Sequence, residues 1–338
     1  MTHEPQPQDA AGVQARSYYG RPVLKVTRWR EPHLPAYLFL GGLSGASATL
    51  AAVAACTRRP RLARAARLAA AGGALGGTGF LVAELGRPER FLNMLRVAKP
   101  TSPMSMGAWL LAVHSGLVMA AAGSDVTGRL RRTGAAAGAA AALTGPVLAT
   151  YPGVLLADTA VPAWHSAYRQ LPFLFAGSAM AAAGASGLAA TAWQRSGQDE
   201  GEPALRLALL GAAVEAAAGL HMEHRLGLAG EPYRDGDSGR LMRASHTLTL
   251  AGAGAGVVMG VASRSNQEAA RRGSQGTATW WSRGTATLCA ALLGGGALCT
   301  RFAVLRAGIA SARDPKYVVE AQRRHPVPSA DDGQGGAR

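Results

Sequence analysis

Ionisable side chains inside otherwise apolar stretches are the residues of this sequence best suited to chemistry. Three carboxylates qualify, namely Glu84, Asp158 and Glu215. A charge at the centre of a membrane span costs roughly 2.5–3.5 kcal/mol on insertion scales, so such a residue is expected to serve a function. The function that a carboxylate offers there is proton transfer. The alternative is that each carboxylate ties helices together through an arginine, as Arg87 could do for Glu84 three residues earlier.

Cysteines and histidines argue against a metal cofactor in this chain. Cys56, Cys289 and Cys299 are scattered and form no CxxC motif, which argues against an iron–sulfur cluster or a c-type haem. A b-type haem would need two histidines at one depth in different spans, and only His114 is placed in the middle of a span. We expect His114 to form an interhelical hydrogen bond instead.

The residues at 84–102 combine basic, apolar and turn-forming side chains. Phe91, Leu92 and Leu95 form an amphipathic stretch suited to the membrane surface. Ser102 followed by Pro103 is typical of a helix start, with a capping residue and then proline at the first helical position. The segment is either a lipid-anchored loop or a platform on which a partner docks.

Membrane-spanning helices must position these residues. Charged residues make up 16% of the 338 residues, against about 25% in soluble domains. Eight stretches are apolar and long enough for a span, and they predict an all-α polytopic membrane protein with eight transmembrane helices in two four-helix bundles. The stretches are Leu34–Cys56, Leu68–Ala83, Pro100–Ser124 with a helix start near Pro103, Thr133–Ala157, Gln170–Gln194, Leu207–Met222, Ala244–Ser263 and Gly284–Thr300.

The spans divide the chain into four parts. We predict a polar N-terminal segment at 1–33, a first bundle at 34–165, a second bundle at 166–306 and a polar tail at 307–338. The similarity of Leu34–Gly41 to Leu171–Gly177, four spans apart, suggests a parallel duplication. GxxxG pairs predict close helix packing, and they are Gly41/Gly45, Gly72/Gly76 and Gly256/Gly260.

The net charge of +15 arises from basic clusters between the apolar stretches. This placement favours contact with anionic lipid headgroups and disfavours a nucleic-acid partner. The odd-numbered loops carry 14 Lys and Arg and the even-numbered loops 9, but the tails add 12 to the even side and reverse the balance. The positive-inside rule therefore does not fix the orientation.

Four motifs give the chain a resemblance to a known family. The motifs are Tyr18–Val23, Tyr37–Gly42, Leu85–Phe91 and Lys99–Ser105. They resemble the NrfD-type family of polysulfide reductase membrane subunits, in which the membrane subunit is a quinone-binding anchor. The resemblance implies that electrons pass between menaquinone or ubiquinone and an iron–sulfur partner of the four-cluster ferredoxin type, often joined to a molybdopterin catalytic subunit. It implies that this chain itself holds no haem or iron–sulfur cluster.

The resemblance also assigns residues to a quinone site. His33 and Tyr37 stand where the polysulfide reductase subunit has an asparagine and a histidine, and both can still donate a hydrogen bond. Tyr151 is the nearest match to a tyrosine of the fourth span, and Glu84 matches an acidic residue before the Gly-Arg-Pro motif. Because even-numbered spans end on the side where the first begins, Tyr37, Glu84, Tyr151 and Asp158 are expected to cluster at one face.

The resulting hypothesis is a quinone site with proton acceptors. His33, Tyr37 and Tyr151 would hold the quinone carbonyls, and Glu84 or Asp158 would accept protons. Glu215 would belong to a proton route in the second half. Three basic residues, Arg87, Arg90 and Lys99, would dock the iron–sulfur partner.

Two other functions fit eight spans. One is an ion or small-solute transporter, which Glu215 and the duplication would suit. The other is a structural anchor without a quinone site. The resemblance favours a cell-membrane protein whose termini and even-numbered loops are extracytoplasmic.

Overall fold

The computed structural model describes residue 24 and residues 29–193, 198–271 and 279–318. Most of the segment at 1–33, including the Tyr18–Val23 motif, and the tail beyond 318 lie outside the described residues. The described part consists mainly of helices and contains eight helices long and apolar enough to cross a membrane. The predicted all-α polytopic membrane fold is therefore confirmed.

The eight long helices follow one another as membrane spans with short helices between them. The spans, numbered first to eighth below, are His33–Cys56, Pro60–Leu85, Pro103–Thr127, Arg131–Ala157, Leu171–Trp193, Glu202–Arg225, Gly236–Arg271 and Thr279–Arg313. The short α-helices are Pro88–Leu95, Pro162–Ser166 and Glu231–Arg234, and 3₁₀ turns lie at Gln198–Gly201 and Gly227–Gly230.

Several helices are longer than the apolar stretches from which they are predicted. The second span begins at Pro60 rather than Leu68, and its first turns carry arginines. The eighth continues to Arg313 rather than ending near Thr300. Arginine is a good helix former, so a helix does not stop where its apolar residues stop. The third span begins at Pro103, as the Ser-Pro pair predicts.

The first and fifth spans lie at the centre of the protein and are the most buried of the eight. The first packs against the second and fourth, and the fifth packs against the sixth and eighth. The fifth also packs directly on the first and fourth, so the two halves meet along these central helices. The division into two bundles at 165 and 166 stays a prediction.

Glycine allows the central helices to approach closely. A Cβ atom added to Gly45 in the first span would overlap the carbonyl oxygen of Gly145 in the fourth. In the second span, a Cβ on Gly73 would come within 2.7 Å of the Leu40 carbonyl oxygen, whereas one on Gly72 would meet nothing within 4 Å. Gly73, next to the predicted pair Gly72/Gly76, is therefore the closer contact with the first span.

The chain just before the first span is fixed at three consecutive residues. The Trp29 ring stacks on the buried Trp164, with ring centroids 5.3 Å apart. The backbone N–H of Arg30 donates a hydrogen bond to Glu84 Oε1 at 2.9 Å. Glu31 forms a two-pronged ion pair with Arg306 of the eighth span, at 2.8 and 2.6 Å. These contacts set the position of His33, the first residue of the first span.

A second set of polar contacts holds the chain after the eighth span. Glu231, in the short helix before the seventh span, accepts hydrogen bonds from Lys316 Nζ at 2.8 Å and from the Tyr317 hydroxyl at 3.2 Å. The hydrogen bond from Lys316 lowers the pKa of Glu231. The carboxylate therefore stays ionised, and the contact intact, as the pH falls below the ordinary glutamate range.

Candidate functional site

His33 and Glu84 face each other where the first span begins and the second ends. His33 Nδ1 lies 3.7 Å from Glu84 Oε2, and neither atom has a hydrogen-bond partner among the described residues. The Glu84 side chain is 10% exposed and that of His33 is 33% exposed. Because Oε1 is held by the Arg30 N–H, Oε2 is the oxygen of this carboxylate that can take a proton. Glu84 is thus paired with His33, and the described ion pairs do not join it to Arg87.

Tyr37 lies one helical turn after His33 and is buried. Its hydroxyl forms no hydrogen bond with the part of the chain that the structure describes. Its ring belongs to an apolar cluster that includes Phe80, Phe91 and Leu110. The His33 ring also lies near Phe80, with centroids 6.2 Å apart. The arrangement places hydrogen-bonding groups beside apolar and aromatic surfaces.

Tyr151 connects the fourth span to the start of the third. Its hydroxyl donates a short hydrogen bond to the Pro103 carbonyl oxygen. Its ring lies against Gly107, where any Cβ atom would overlap it. Tyr151 is half-buried and lies within electrostatic range of Tyr37. Tyr151 therefore packs against the residues around Pro103, which carry one of the family-like motifs.

Asp158 is not part of this arrangement. It caps the end of the fourth span and is exposed. The described hydrogen bonds and ion pairs do not connect its side chain to His33, Tyr37 or Glu84. Of the four residues expected to cluster, Tyr37 and Tyr151 approach each other, and Glu84 lies beside His33, one turn from Tyr37.

The segment between the second and third spans presents basic groups beside this site. A helix forms at Pro88–Leu95, with Phe91 packed against the apolar cluster and Leu92 63% exposed. Arg87, Arg90 and Lys99 are exposed. Ser105 Oγ holds the following loop by accepting from the Lys99 N–H at 3.0 Å and donating to the Val97 carbonyl at 2.8 Å. The amphipathic helix is thus anchored by one face and open on the other.

Glu215 lies in a second polar cluster, in the middle of the sixth span. It is 1% exposed. The Thr300 hydroxyl donates to Oε1 at 2.5 Å, and the Thr249 hydroxyl donates to Oε2 at 3.4 Å. Ser245 is hydrogen-bonded to Thr300 at 2.6 Å. The seventh and eighth spans therefore surround this carboxylate of the sixth with hydroxyl groups.

Arg301, which the sequence reasoning missed, is the cation nearest to this cluster. It is 1% exposed and lies within electrostatic range of Glu215, although more than 4.0 Å separates their charged atoms. Its Nη2 donates to the Phe175 carbonyl at 3.0 Å, and its guanidinium carbon lies 4.0 Å from the Phe175 ring centroid. Its Nε lies 3.5 Å from the Leu38 carbonyl, next to Tyr37, and Nη1 has no partner among the described residues.

Arg301 lies just outside the predicted eighth span, which ends at Thr300. A single arginine inside a helix makes the charge-free stretch shorter than the helix itself. The signal in the sequence is the apolar stretch that resumes at 302–305 and continues after Arg306 to Ile309.

Comparison with known protein families assigns the chain to one of them. The model of the NrfD family, described as polysulphide reductase, matches residues 27–223. The chain belongs to the NrfD family. A search of curated proteins returned no match.

NrfD membership indicates the membrane subunit of a respiratory oxidoreductase. The match begins before His33 and runs through the first six spans, so it includes the residues of the predicted quinone site and Glu215. It ends before Thr249, Thr300 and Arg301. The partners of Glu215 thus come from the part of this NrfD chain beyond the matched segment.

His114, in the third span of this NrfD chain, uses both ring nitrogens in interhelical contacts. Its Nε2 lies 3.1 Å from Ser44 Oγ, and its Nδ1 lies 2.8 Å from Thr144 Oγ1. Ser44 also donates to the Ala70 carbonyl at 2.7 Å, and Thr144 donates to the Ala141 carbonyl at 3.1 Å. His114 therefore joins the third span to the first and fourth, as expected.

Proposed function

We propose that this chain is the quinone-binding membrane anchor of a multisubunit iron–sulfur oxidoreductase. The observation that carries the proposal is the group formed by His33, Tyr37 and Glu84. The atoms of His33 and Glu84 that have no partner among the described residues lie 3.7 Å apart, and Tyr37 follows one helical turn later within an apolar, partly aromatic cluster. A quinone needs this combination, because its ring carries two acceptor oxygens and its tail is apolar.

The hydrogen-bonding groups differ in what they can give to a quinone carbonyl. The Tyr37 hydroxyl is free to donate. His33 can donate from a protonated ring nitrogen. Tyr151 already donates its proton to the Pro103 carbonyl, so it can serve a ligand only by giving up that bond. Tyr37 and His33 are therefore the primary ligands in this proposal, and Tyr151 is the secondary one.

The carboxylate next to His33 would receive protons. A bound quinol, from menaquinone or ubiquinone, supplies two electrons and two protons. Glu84 Oε2 accepts a proton there, while the Arg30 N–H keeps the carboxylate oriented through Oε1. His33, the more exposed of the pair, gives the proton a way to solvent. Asp158, exposed and outside this group, would act only as a later acceptor.

The electrons need a conductor that a partner must supply. We propose an iron–sulfur subunit of the four-cluster ferredoxin type, joined to a molybdopterin catalytic subunit, as the resemblance implies. The basic side chains Arg87, Arg90 and Lys99 and the outer face of the helix at Pro88–Leu95 would form its docking surface. This surface lies next to Glu84 in the chain, so a docked cluster would come close to the quinone ring.

Glu215 supports a proton route in the second half. A buried carboxylate surrounded by hydroxyl groups from two other spans can hold and pass a proton. Arg301 connects this cluster to the Leu38 carbonyl beside Tyr37. In this proposal the protein lies in the cell membrane, with its termini and even-numbered loops on the extracytoplasmic side.

The test is quinol oxidation by the complex purified in mild detergent, with Tyr37→Phe as the variant. We expect kcat/KM for quinol to fall roughly tenfold to hundredfold, the value of one lost hydrogen bond to the ligand. Thermal stability should not change, because no described hydrogen bond is removed. Tyr233→Phe is the matched control, since it removes a buried hydroxyl that donates to the Ala163 carbonyl at 3.2 Å, far along the chain from the site.

The outcome also separates the alternatives. Unchanged quinol oxidation in Tyr37→Phe, with the iron–sulfur partner still bound, would mean a structural anchor. A chain isolated without quinone or an iron-containing partner would favour a transporter, for which the buried Glu215 and Arg301 are the supporting observation. Proton movement into liposomes containing this chain alone would then be the measurement to make.

A further inference from the structure

A basic cavity lies at the end of the protein opposite the proposed quinone site. It is formed where the first span ends, the second begins, the third ends and the fourth begins, and its volume is about 400 Å³. Five arginines and one aspartate contribute its charged groups. They are Arg58, Arg59, Arg64, Arg67, Arg131 and Asp125.

Most of this positive charge is not compensated by the protein. Arg67 pairs with Asp125 at 2.5 Å, and Arg59 pairs with Glu202 at 3.0 Å. The structure describes no hydrogen bond or ion pair for the side chains of the other three arginines. Within the part of the chain that the structure describes, Nε and Nη1 of Arg59 are buried and have no hydrogen-bond partner.

An apolar cleft continues from the basic cavity into the membrane region. It has a volume of about 180 Å³, and Ala55 and Arg67 line both spaces. Small residues of the first four spans form its walls. They include Ala48, Ala51, Ala70, Ala121, Gly138 and Ala141. A charged space that adjoins an apolar one matches an amphipathic ligand.

We propose that the cavity and the cleft form a binding site for one anionic glycerophospholipid. The phosphate group would lie among the arginines, and part of one acyl chain would occupy the alanine-lined cleft. Arginine is suited to this task because its planar fork can donate two hydrogen bonds to one phosphate. The site is separate from the proposed quinone site and does not depend on it.

The experiment is native mass spectrometry of the purified complex in detergent with added phosphatidylglycerol, phosphatidylcholine of the same acyl chains, or inorganic phosphate. The variant is Arg58→Gln, Arg64→Gln and Arg131→Gln together. The control removes the same charge from the same end of the protein, at Arg129→Gln, Arg264→Gln and Arg283→Gln, which lie outside the cavity. A third variant, Gly138→Leu, fills the cleft without touching the arginines.

We expect the natural complex to retain phosphatidylglycerol in preference to phosphatidylcholine. The cavity variant should retain at least about tenfold less, and the control should keep the natural amount. Gly138→Leu should weaken phosphatidylglycerol binding and leave any binding of inorganic phosphate unchanged. If the cavity variant does not assemble, Arg64→Gln alone replaces it, since that side chain is exposed.

Two results would overturn the proposal. Equal loss of lipid in the cavity variant and the control would mean that the overall charge, not this cavity, attracts the lipid. Displacement of phosphatidylglycerol by inorganic phosphate at equal concentration, with no effect of Gly138→Leu, would mean a site for a free anion.

Discussion

Glu215 and Arg301 compensate each other's charge in the middle of the protein. Each is 1% exposed, and each belongs to a helix that crosses the membrane. A single buried charge is costly because neither lipid nor packed side chains can solvate it. Here the hydroxyl groups of Thr300 and Thr249 solvate the carboxylate, and two backbone carbonyls and the Phe175 ring solvate the guanidinium.

This compensation predicts a non-additive pair of substitutions. Glu215→Gln and Arg301→Gln should each lower stability by about 3 kcal/mol, since each leaves one buried charge without its partner. The double variant should be more stable than either single variant. The measurement is the denaturation midpoint of the purified complex for all four combinations. Losses that simply add in the double variant would show that the two groups do not interact.

Among the helices, the first and fourth spans cross at a contact that requires glycine on both sides. Gly45 and Gly145 each lie against the other's carbonyl oxygen. One turn away on the same helix, Gly41 has open space where a Cβ would be. The GxxxG pair Gly41/Gly45 therefore has two members with different roles, although its spacing suggests equal ones.

This difference predicts opposite effects for the same substitution at the two glycines. Gly45→Ala should destabilise the protein by about 1–3 kcal/mol, because the methyl group forces the helices apart. Gly41→Ala should be neutral or stabilise by up to about 1 kcal/mol, because alanine favours a helix. Thermal denaturation of both variants in one detergent checks this. Equal destabilisation would show that the helices can shift at Gly45 without cost.

For the whole molecule, the two ends of the bundle carry different chemistry. One end holds His33, Tyr37 and Glu84 and the exposed basic residues after the second span. The other end holds the arginine-lined cavity. Because the spans alternate in direction, residues near the ends of the even-numbered spans share the first end, and those near the ends of the odd-numbered spans share the second. Partner docking and lipid binding can thus be tested independently.

Docking at the first end predicts a salt-sensitive loss of the partner subunit. Replacing Arg87, Arg90 and Lys99 together by glutamine should reduce the iron that copurifies with the chain, most clearly at high salt, since these exposed charges would steer and hold an acidic surface. The chain itself should remain folded, because the three side chains are exposed. Replacing Arg129, Arg132 and Arg264 at the other end is the control, and equal loss of iron there would contradict a docking role for the loop.

The number of spans and much of their placement follow from apolar length along the chain. Apolar length reveals a membrane helix whatever its neighbours are, because the bilayer sets the length. The start of the third span at Pro103 followed from local chemistry, since proline favours the first helical turn. Helix ends were less predictable. Arginine-containing turns continue the helix beyond the lipid, so the second span begins at Pro60 and the eighth reaches Arg313.

Which polar residues meet depends on how the helices pack. Glu84 has Arg87 close by in sequence but pairs with His33, because the helix ends at Leu85 and the chain before the first span comes back beside it. Asp158, like Glu84, is a carboxylate at the end of an even-numbered span, but its side chain is exposed. Arg301 is distant from Glu215 in the chain. The two lie within electrostatic range because the sixth and eighth spans both pack on the fifth. The hydropathy of a sequence shows where burying a charge would be costly. Helix packing determines which partner offsets that cost.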